Sequence, residues 1–203
     1  MVNEIRLYVE GGGNDKDTKA LMREGFHGFL RELVALARSK RIKWQIIACG
    51  PRTKAFSAFE TALETRPDAF NILVVDAEGP VHTQPWQHVQ RQDGWGVSGI
   101  DDEHCHLMVQ MMEAWLIADR DALAHFYGQG FGENALPKHS NVEQIDKSML
   151  ESALKAATRN TSKGEYHKIR HGSKLLAQLD STRVRQAAPH CERLFTILIA
   201  KMS

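Results

Sequence analysis

The chain has 203 residues, which is long enough for one sizeable α/β domain or for one domain with a substantial appendage. Its formal net charge is +1 and 25% of its residues are charged, so composition alone indicates neither a nucleic-acid nor a membrane partner. The cysteines Cys49, Cys105 and Cys191 form no CxxC pair, which excludes a zinc knuckle and disfavours a disulfide framework. With no signal peptide or membrane-length apolar run, the expected location is cytoplasmic.

The first half of the chain alternates between strand and helix patterns. Strands are predicted over residues 4–10, 44–49 and 70–76. A helix capped by Asp15 or Asp17 follows the first strand, and a second helix is predicted over residues 52–65. The third strand is apolar throughout, which is typical of a strand buried on both faces of a parallel sheet.

Acidic residues follow two of these strands. Glu10 ends the first strand, Asp76 ends the third, and Glu78 comes two residues later. Right-handed crossovers place the ends of parallel strands at one edge of the sheet, where open α/β sheets bind their ligands. We therefore expect the three carboxylates to converge.

The second half begins with a polar loop or insertion, about residues 79–103. A fourth strand is predicted over residues 105–111 and passes directly into a helix at 112–119, with Glu113 at the junction. After a connection at 128–142, helices are expected at about 147–158, 171–180 and 184–201. The predicted fold is α/β, with about four mainly parallel strands flanked by helices. The predicted division is a core of residues 1–127 and a helical extension, 128–203, packed on it.

Converging carboxylates need a cation, and a site of oxygen donors favours Mg²⁺ or Mn²⁺ over zinc. Such a site can polarise a phosphodiester and activate water. The spacing is equally compatible with Asp76 and Glu78 being polar caps of the next segment. Gly11, Gly12 and Gly13 give the backbone behind Glu10 room for a ligand. They are not a P-loop, because no Gly-Lys-Ser/Thr ending follows them.

These motifs resemble the Toprim domain of topoisomerases, primases and OLD-type nucleases. The resemblance lies in Tyr8-Val9-Glu10-Gly11 and in Asp76-Ala77-Glu78, where Asp-x-Glu replaces the usual Asp-x-Asp. The run from Met112 to Asp119, which contains Glu-Ala-Trp-Leu, is similar to the signature of a bacterial domain-of-unknown-function family of the Toprim clan. Later segments, Tyr166-His167-Lys168 and residues 184–201, extend that similarity over nearly the whole chain.

The resemblance implies a Toprim-like Rossmannoid fold and a Mg²⁺-dependent nuclease, in phage defence beside a separately encoded ABC-type ATPase. It makes Glu10 a metal ligand or general acid/base, Asp76 and Glu78 metal ligands, and Glu113 a further ligand or an orienting group. The partners considered are DNA or RNA, the ATPase and a second copy in a homodimer, but no membrane. The alternatives are a catalytically weak regulator that binds a metal or nucleotide, and a phosphoryl-transfer enzyme acting on a small nucleotide.

Other side chains are assigned supporting or binding roles. His106 is expected to form a hydrogen bond near Glu113, and Trp115 to pack in the core and fix that carboxylate. Trp86 and Trp95 are expected to be buried against the domain, with base stacking as the alternative. One basic and aromatic cluster is assigned to nucleic-acid binding, the alternative being a solvated loop: Lys163, Tyr166, His167, Lys168, Arg170 and His171.

Overall fold

The computed structural model describes residues 2–203. Four strands form one parallel sheet in the order β2-β1-β3-β4. Their bounds are β1 (Glu4–Glu10), β2 (Lys43–Gly50), β3 (Phe70–Asp76) and β4 (Cys105–Met108). The predicted α/β fold with a four-stranded parallel sheet, flanking helices and a helical C-terminal part is confirmed.

Helices connect the strands and make up most of the C-terminal part. They are α1 (Lys16–Phe29), α2 (Arg31–Ser39), α3 (Arg52–Thr65), α4 (Pro85–Asp93), α5 (Met112–Ala118), α6 (Arg120–Tyr127), α7 (Lys147–Thr158), α8 (Ser173–Leu176), α9 (Ser181–Ala187) and α10 (Pro189–Met202). A π-helical turn, Lys168–Gly172, precedes α8. Within the described residues, no helix has both the length and the apolar character needed to cross a bilayer.

The sheet is covered on both faces, because strand side chains alternate between them. Ile72 and Val74 of β3 belong to a large apolar core with α1, α2, α5 and α10, whereas Leu73 and Val75 pack with α3 and α4. All seven residues of β3 are buried, as its continuous apolar run predicts. The carboxyl ends of the strands lie at an edge of the sheet between these two helical layers.

Element boundaries differ from the sequence expectations, and the helix expected at 171–180 is reduced to α8, Ser173–Leu176. The first predicted helix is divided at Leu30, which caps the end of α1 and the start of α2. Both helices bury apolar residues. The last is divided before Pro189, whose ring cannot occupy a helix interior. The predicted polar loop contains α4, with Pro85 at its first turn and left-handed Gly94 at its end. The fourth strand stops at Met108 rather than at residue 111.

The C-terminal helices share the core of the sheet layer. Helix α10 packs on β4 and α2, and α8 packs on α1 through close backbone contacts at Gly25 and Gly28. A Cβ atom on Gly25 would lie 2.7 Å from the carbonyl oxygen of Ser173. The predicted boundary at residues 127 and 128 stays a prediction, and buried residues on both sides of it belong to one apolar core.

The contact between α1 and α8 predicts that a glycine-to-alanine substitution within a helix lowers the stability of the protein. Helix propensity alone favours Gly25→Ala by about 1 kcal/mol. We expect the substitution to destabilise the protein by about 1–3 kcal/mol instead, because the added methyl overpacks the α1–α8 contact. Urea denaturation measures the difference. Gly79→Ala, whose methyl would have no atom within 4 Å, is the control and should change stability by less than about 0.5 kcal/mol. A stabilised Gly25→Ala variant would contradict the tight packing.

Candidate metal centre

Three carboxylates meet at the carboxyl edge of the central strands. Glu10 ends β1, Asp76 ends the neighbouring parallel strand β3, and Glu78 lies two residues beyond. One oxygen from each lies within 4.8 Å of the other two, a geometry that can hold a metal ion. No other set of three His, Cys, Asp or Glu side chains in residues 2–203 converges in this way. The structure thus brings together the acids that the strand order predicts.

The glycine-rich turn after β1 shapes a cleft at this edge. Gly11, Gly12 and Gly13 have φ angles of 112°, 86° and 59°, which favour glycine. Gly11 exchanges two backbone hydrogen bonds with Gly50, of 2.8 and 3.0 Å. A Cβ atom on Gly12 would lie 2.9 Å from the Cα atom of Lys19, so the glycines also let the turn pack on α1.

The cleft has a volume of about 170 Å³, and its lining includes Glu10, Asp76, Gly11, Gly13, Met112 and Lys168. Glycine and methionine make up most of the remaining lining. The predicted role of the glycines, to give a ligand clearance beside Glu10, is therefore compatible with their positions.

Asp76 is held from two directions. Its Oδ1 atom accepts a hydrogen bond of 2.8 Å from the backbone N–H of Met112 at the start of α5. Its Oδ2 atom lies 3.4 Å from Nζ of Lys168. The side chain is 6% exposed. The short step from β4 into α5 therefore fixes the direction in which this carboxylate points.

Glu10 lies beside the same strand end. Its Oε2 atom accepts a hydrogen bond of 3.1 Å from the backbone N–H of Asp76 and lies 3.4 Å from Nη1 of Arg52. Burial, followed by the negative charge of Asp76, raises the pKa of Glu10, and Arg52 only partly opposes this. A cation in the cleft would stabilise the ionised form of Glu10.

Arg52, at the start of α3, joins this site although the sequence reasoning missed it. Its guanidinium donates two hydrogen bonds to Asp93, of 2.7 and 2.9 Å, and another to the backbone oxygen of Asp76. Its Cζ atom lies 4.9 Å from the ring centre of Trp95. One signal could have found it: Arg52 follows the end of β2, which lies at the same edge as the ends of β1 and β3.

Glu78 has a cationic partner from the C-terminal part. Its backbone adopts a left-handed φ of 64°, and its N–H donates a 2.8 Å hydrogen bond to the carbonyl oxygen of Gln110. Its Oε2 atom forms an ion pair with Nζ of Lys147, the first residue of α7. Both side chains are partly exposed, at 30% and 38%. Lys147 carried no motif and was also missed.

Glu113 is fully buried beside the three acids. The hydroxyl of Tyr166 donates a 2.8 Å hydrogen bond to its Oε1 atom, and Nζ of Lys168 lies 3.5 Å from its Oε2 atom. Burial raises the pKa of Glu113, and Lys168 counteracts part of this. Burial lowers the pKa of Lys168, but Asp76 and Glu113 outweigh burial and leave that pKa raised. Lys168 is therefore the cation that bridges Glu113 and Asp76.

The cluster predicted to bind nucleic acid is divided in the structure. Tyr166 lies in the core and Lys168 faces the acids, because both interact with Glu113. His171 is half-buried and accepts a 3.0 Å hydrogen bond from Tyr127. The exposed members are Lys163, His167 and Arg170. A buried ring cannot contact a phosphate backbone, so the binding role does not fit Tyr166.

The two supporting residues also have defined positions. Trp115 is buried and stacks on Phe29 with ring centres 5.1 Å apart, which agrees with the packing predicted for it. His106 is buried, but its ring contacts the carbonyl oxygen of Glu103 at 3.0 Å and Nη1 of Arg193 at 3.2 Å. Its hydrogen bonds therefore tie β4 to α10 rather than reaching Glu113.

The environment of His106 gives a pH test. Burial, followed by the positive charge of Arg193, lowers its pKa from 6.5 to about 3. The neutral ring therefore contributes stability that is fully present above about pH 6.5 and lost as the pH falls toward 3. We expect His106→Gln to reduce the slope of unfolding free energy against pH by up to about 1.4 kcal/mol per unit in that window. Urea denaturation between pH 6.5 and 4 measures the slope.

The exposed His82→Gln is the control, and an unchanged slope in His106→Gln would contradict the assignment.

Comparisons with known proteins place the chain in one family. No curated protein and no solved structure shows significant similarity to it. The profile of the family described as "Domain of unknown function (DUF4276)" matches residues 9–199, which include all four acids of the site and the lysines beside them. This protein belongs to the DUF4276 family.

Proposed function

We propose that this protein is a Mg²⁺-dependent nuclease of the Toprim type that cleaves phosphodiester bonds in DNA or RNA. The observation that carries the proposal is the convergence of Glu10, Asp76 and Glu78 within 4.8 Å at the carboxyl edge of a parallel sheet. The Toprim resemblance of the segments that bear these acids supports it.

The donor set suits a hard divalent cation. All three ligands are carboxylate oxygens, which Mg²⁺ and Mn²⁺ prefer. At ligand distances of about 2.1 Å, oxygens on opposite sides of a Mg²⁺ ion lie about 4.2 Å apart, so a spacing within 4.8 Å requires only small adjustments. When bound, Mg²⁺ would stabilise negative charge on a phosphodiester and activate water for its hydrolysis.

The surrounding side chains suit an anionic substrate. Lys168 and Arg52 present positive charge at the cleft, next to Asp76 and Glu10. Both are orienting groups in this proposal, because each contacts a proposed metal ligand. Lys163, His167 and Arg170 are exposed and follow or precede Lys168 in the chain, so they would extend contact to the sugar-phosphate backbone.

The wider context is part of the same proposal. The Toprim resemblance implies a cytoplasmic nuclease that acts in phage defence beside an ABC-type ATPase. The glycine turn lacks the Lys-Ser/Thr ending of a nucleotide-binding P-loop, so the ATPase would be a separately encoded partner. Glu113 would act as an orienting group or a further ligand. The proposal also includes a homodimer, in which the partner is a second copy of this chain.

A second function is favoured by the ion pairs at the site. Each proposed metal ligand already contacts a cation of the chain: Arg52 lies by Glu10, Lys168 by Asp76 and Lys147 by Glu78. These cations compensate the acids without a metal. A catalytically weak regulator that binds a metal or nucleotide at this edge is therefore the alternative.

The metal site is tested by thermal unfolding. At a concentration one hundred times its Kd, Mn²⁺ or Mg²⁺ adds about 2.7 kcal/mol of stability. For a chain of this size, we expect the Tm to rise by roughly 5–10 °C. The double variant Glu10→Gln/Asp76→Asn should show no rise, whereas Glu151→Gln on the surface of α7 should respond like the wild type. If neither ion changed the Tm of the wild type, the result would contradict the proposed metal site.

The nuclease function requires cleavage as well as binding. Plasmid DNA and tRNA, incubated with the wild type and Mg²⁺ or Mn²⁺, should be cut, and Glu10→Ala should lower the rate at least a hundredfold because a proposed metal ligand is lost. Gel electrophoresis follows the reaction, with Glu151→Gln as the active control. If the wild type binds Mn²⁺ but cleaves neither substrate, with or without the ATPase, the regulator alternative holds.

A further inference from the structure

We propose that the pocket between α4 and the following loop binds a base of the nucleic-acid strand; this inference rests on the nuclease function proposed above. The pocket has a volume of about 640 Å³. Its lining includes Gln84, Gln87 and Gln90, the tryptophans Trp86 and Trp95, and Asp102. It is separate from the acidic cleft and shares no lining residue with it.

The polar groups of the pocket suit a neutral ligand. Its lining contains no lysine or arginine, so it offers no positive charge to a phosphate. Gln84, Gln87 and Gln90 present three side-chain amides. None of these amides forms a hydrogen bond with another group in residues 2–203. Each amide offers both donors and an acceptor. Amides of this kind recognise the edges of bases, as glutamine and asparagine do with adenine.

The aromatic walls are held in place by the protein. The backbone N–H of Trp86 donates a 2.9 Å hydrogen bond to Asp102, and its indole N–H donates one of 2.7 Å to the carbonyl oxygen of Asp101. The ring of Trp95 stacks on Phe56 with centres 4.5 Å apart. Fixed aromatic side chains beside amides match a ligand with an apolar body and hydrogen-bonding edges, and a nucleobase has both properties.

Residues of α4 and of the loop after it connect this pocket to the acidic site at two points. Trp95, in the pocket lining, contacts Arg52, which in turn lies 3.4 Å from Glu10. The ring of His88 hydrogen-bonds the carbonyl oxygen of Ala77 at 2.8 Å, and Ala77 lies between Asp76 and Glu78 in the chain. A base in the pocket would therefore belong to a nucleotide near the one whose phosphate reaches the acids.

The inference restricts the substrate to a strand with an accessible base. In a duplex, the edges used for pairing are already engaged and each base is stacked between its neighbours. A base can enter the pocket only from a single-stranded segment, a loop or an extruded position. The substrate class is thus a single-stranded or locally unpaired nucleic acid.

Tryptophan fluorescence tests the pocket directly. The full chain is titrated in EDTA with AMP, CMP, GMP, UMP and dTMP, and with ribose 5-phosphate, which lacks a base. We expect at least one nucleotide to quench the fluorescence and ribose 5-phosphate to leave it unchanged. The variant Trp95→Phe should lose a large part of the quenching, since Trp95 lines the pocket and Trp44 and Trp115 do not.

Matched glutamine variants test recognition. Gln87, Gln90 and Gln92 are all exposed residues of α4, but only the first two line the pocket. We expect Gln87→Ala/Gln90→Ala to weaken nucleotide binding about tenfold, the effect of losing two neutral hydrogen bonds. Gln92→Ala should bind like the wild type. No quenching by any nucleotide, equal quenching by ribose 5-phosphate, or unchanged binding by the double variant would each overturn the proposal.

Binding in EDTA separates this inference from the nuclease function. A protein that binds nucleotides through Gln87 and Gln90 but cleaves nothing supports the base pocket and removes the nuclease proposal. A protein that cuts nucleic acid yet binds no nucleotide removes the base pocket and leaves the nuclease. If both hold, Gln87→Ala/Gln90→Ala should raise KM for a single-stranded substrate and leave kcat unchanged.

Discussion

Mutual repulsion among Glu10, Asp76 and Glu78 is the constraint around which the site is built. At 4.8 Å, two full charges repel by roughly 3 kcal/mol at an effective dielectric constant of about 20. The fold counters this with three cations that come from different places: Arg52 from α3, Lys168 from the π-helical turn and Lys147 from α7. The strands bring the acids together, and the helices supply the charge that lets them stay there.

Because two of these cations follow residue 140, the acidic edge depends on the C-terminal helices. The turn that carries Lys168 continues into α8, and α8 is seated on α1 through the glycine contacts at Gly25 and Gly28. Tyr166, just before this turn, is buried with its hydroxyl on Glu113. The site is therefore assembled from side chains on both sides of the boundary predicted at residues 127 and 128.

Sequence reasoning recovered the sheet and the acids because both follow from strong local rules. A continuous apolar run identifies β3, and parallel strands place their ends at one edge, so Glu10 and Asp76 had to meet. It missed Arg52 and Lys147, since a lone basic residue on an amphipathic helix looks the same whether it faces solvent or an acid 40 or 70 residues away. It placed Tyr166 and Lys168 on a basic surface for the same reason: composition reports charge but not the direction of a side chain.

The three cations differ in how firmly they are held, and this difference bears on where a metal would enter. Arg52 is fixed by two hydrogen bonds to Asp93 and by the ring of Trp95, and its side chain is only 13% exposed. Lys147 and Lys168 have more exposed side chains, at 38% and 42%, but Lys147 contacts the partly exposed Glu78 whereas Lys168 contacts two buried carboxylates. A divalent ion would displace Lys147 more easily than Arg52, because losing the partly exposed ion pair with Glu78 costs at most about 1 kcal/mol. Removing Lys168 would instead leave Asp76 and the buried Glu113 without their cation. Release of Lys147 would free Glu78 to join Glu10 and Asp76 in holding a metal, while Arg52 would remain on Glu10.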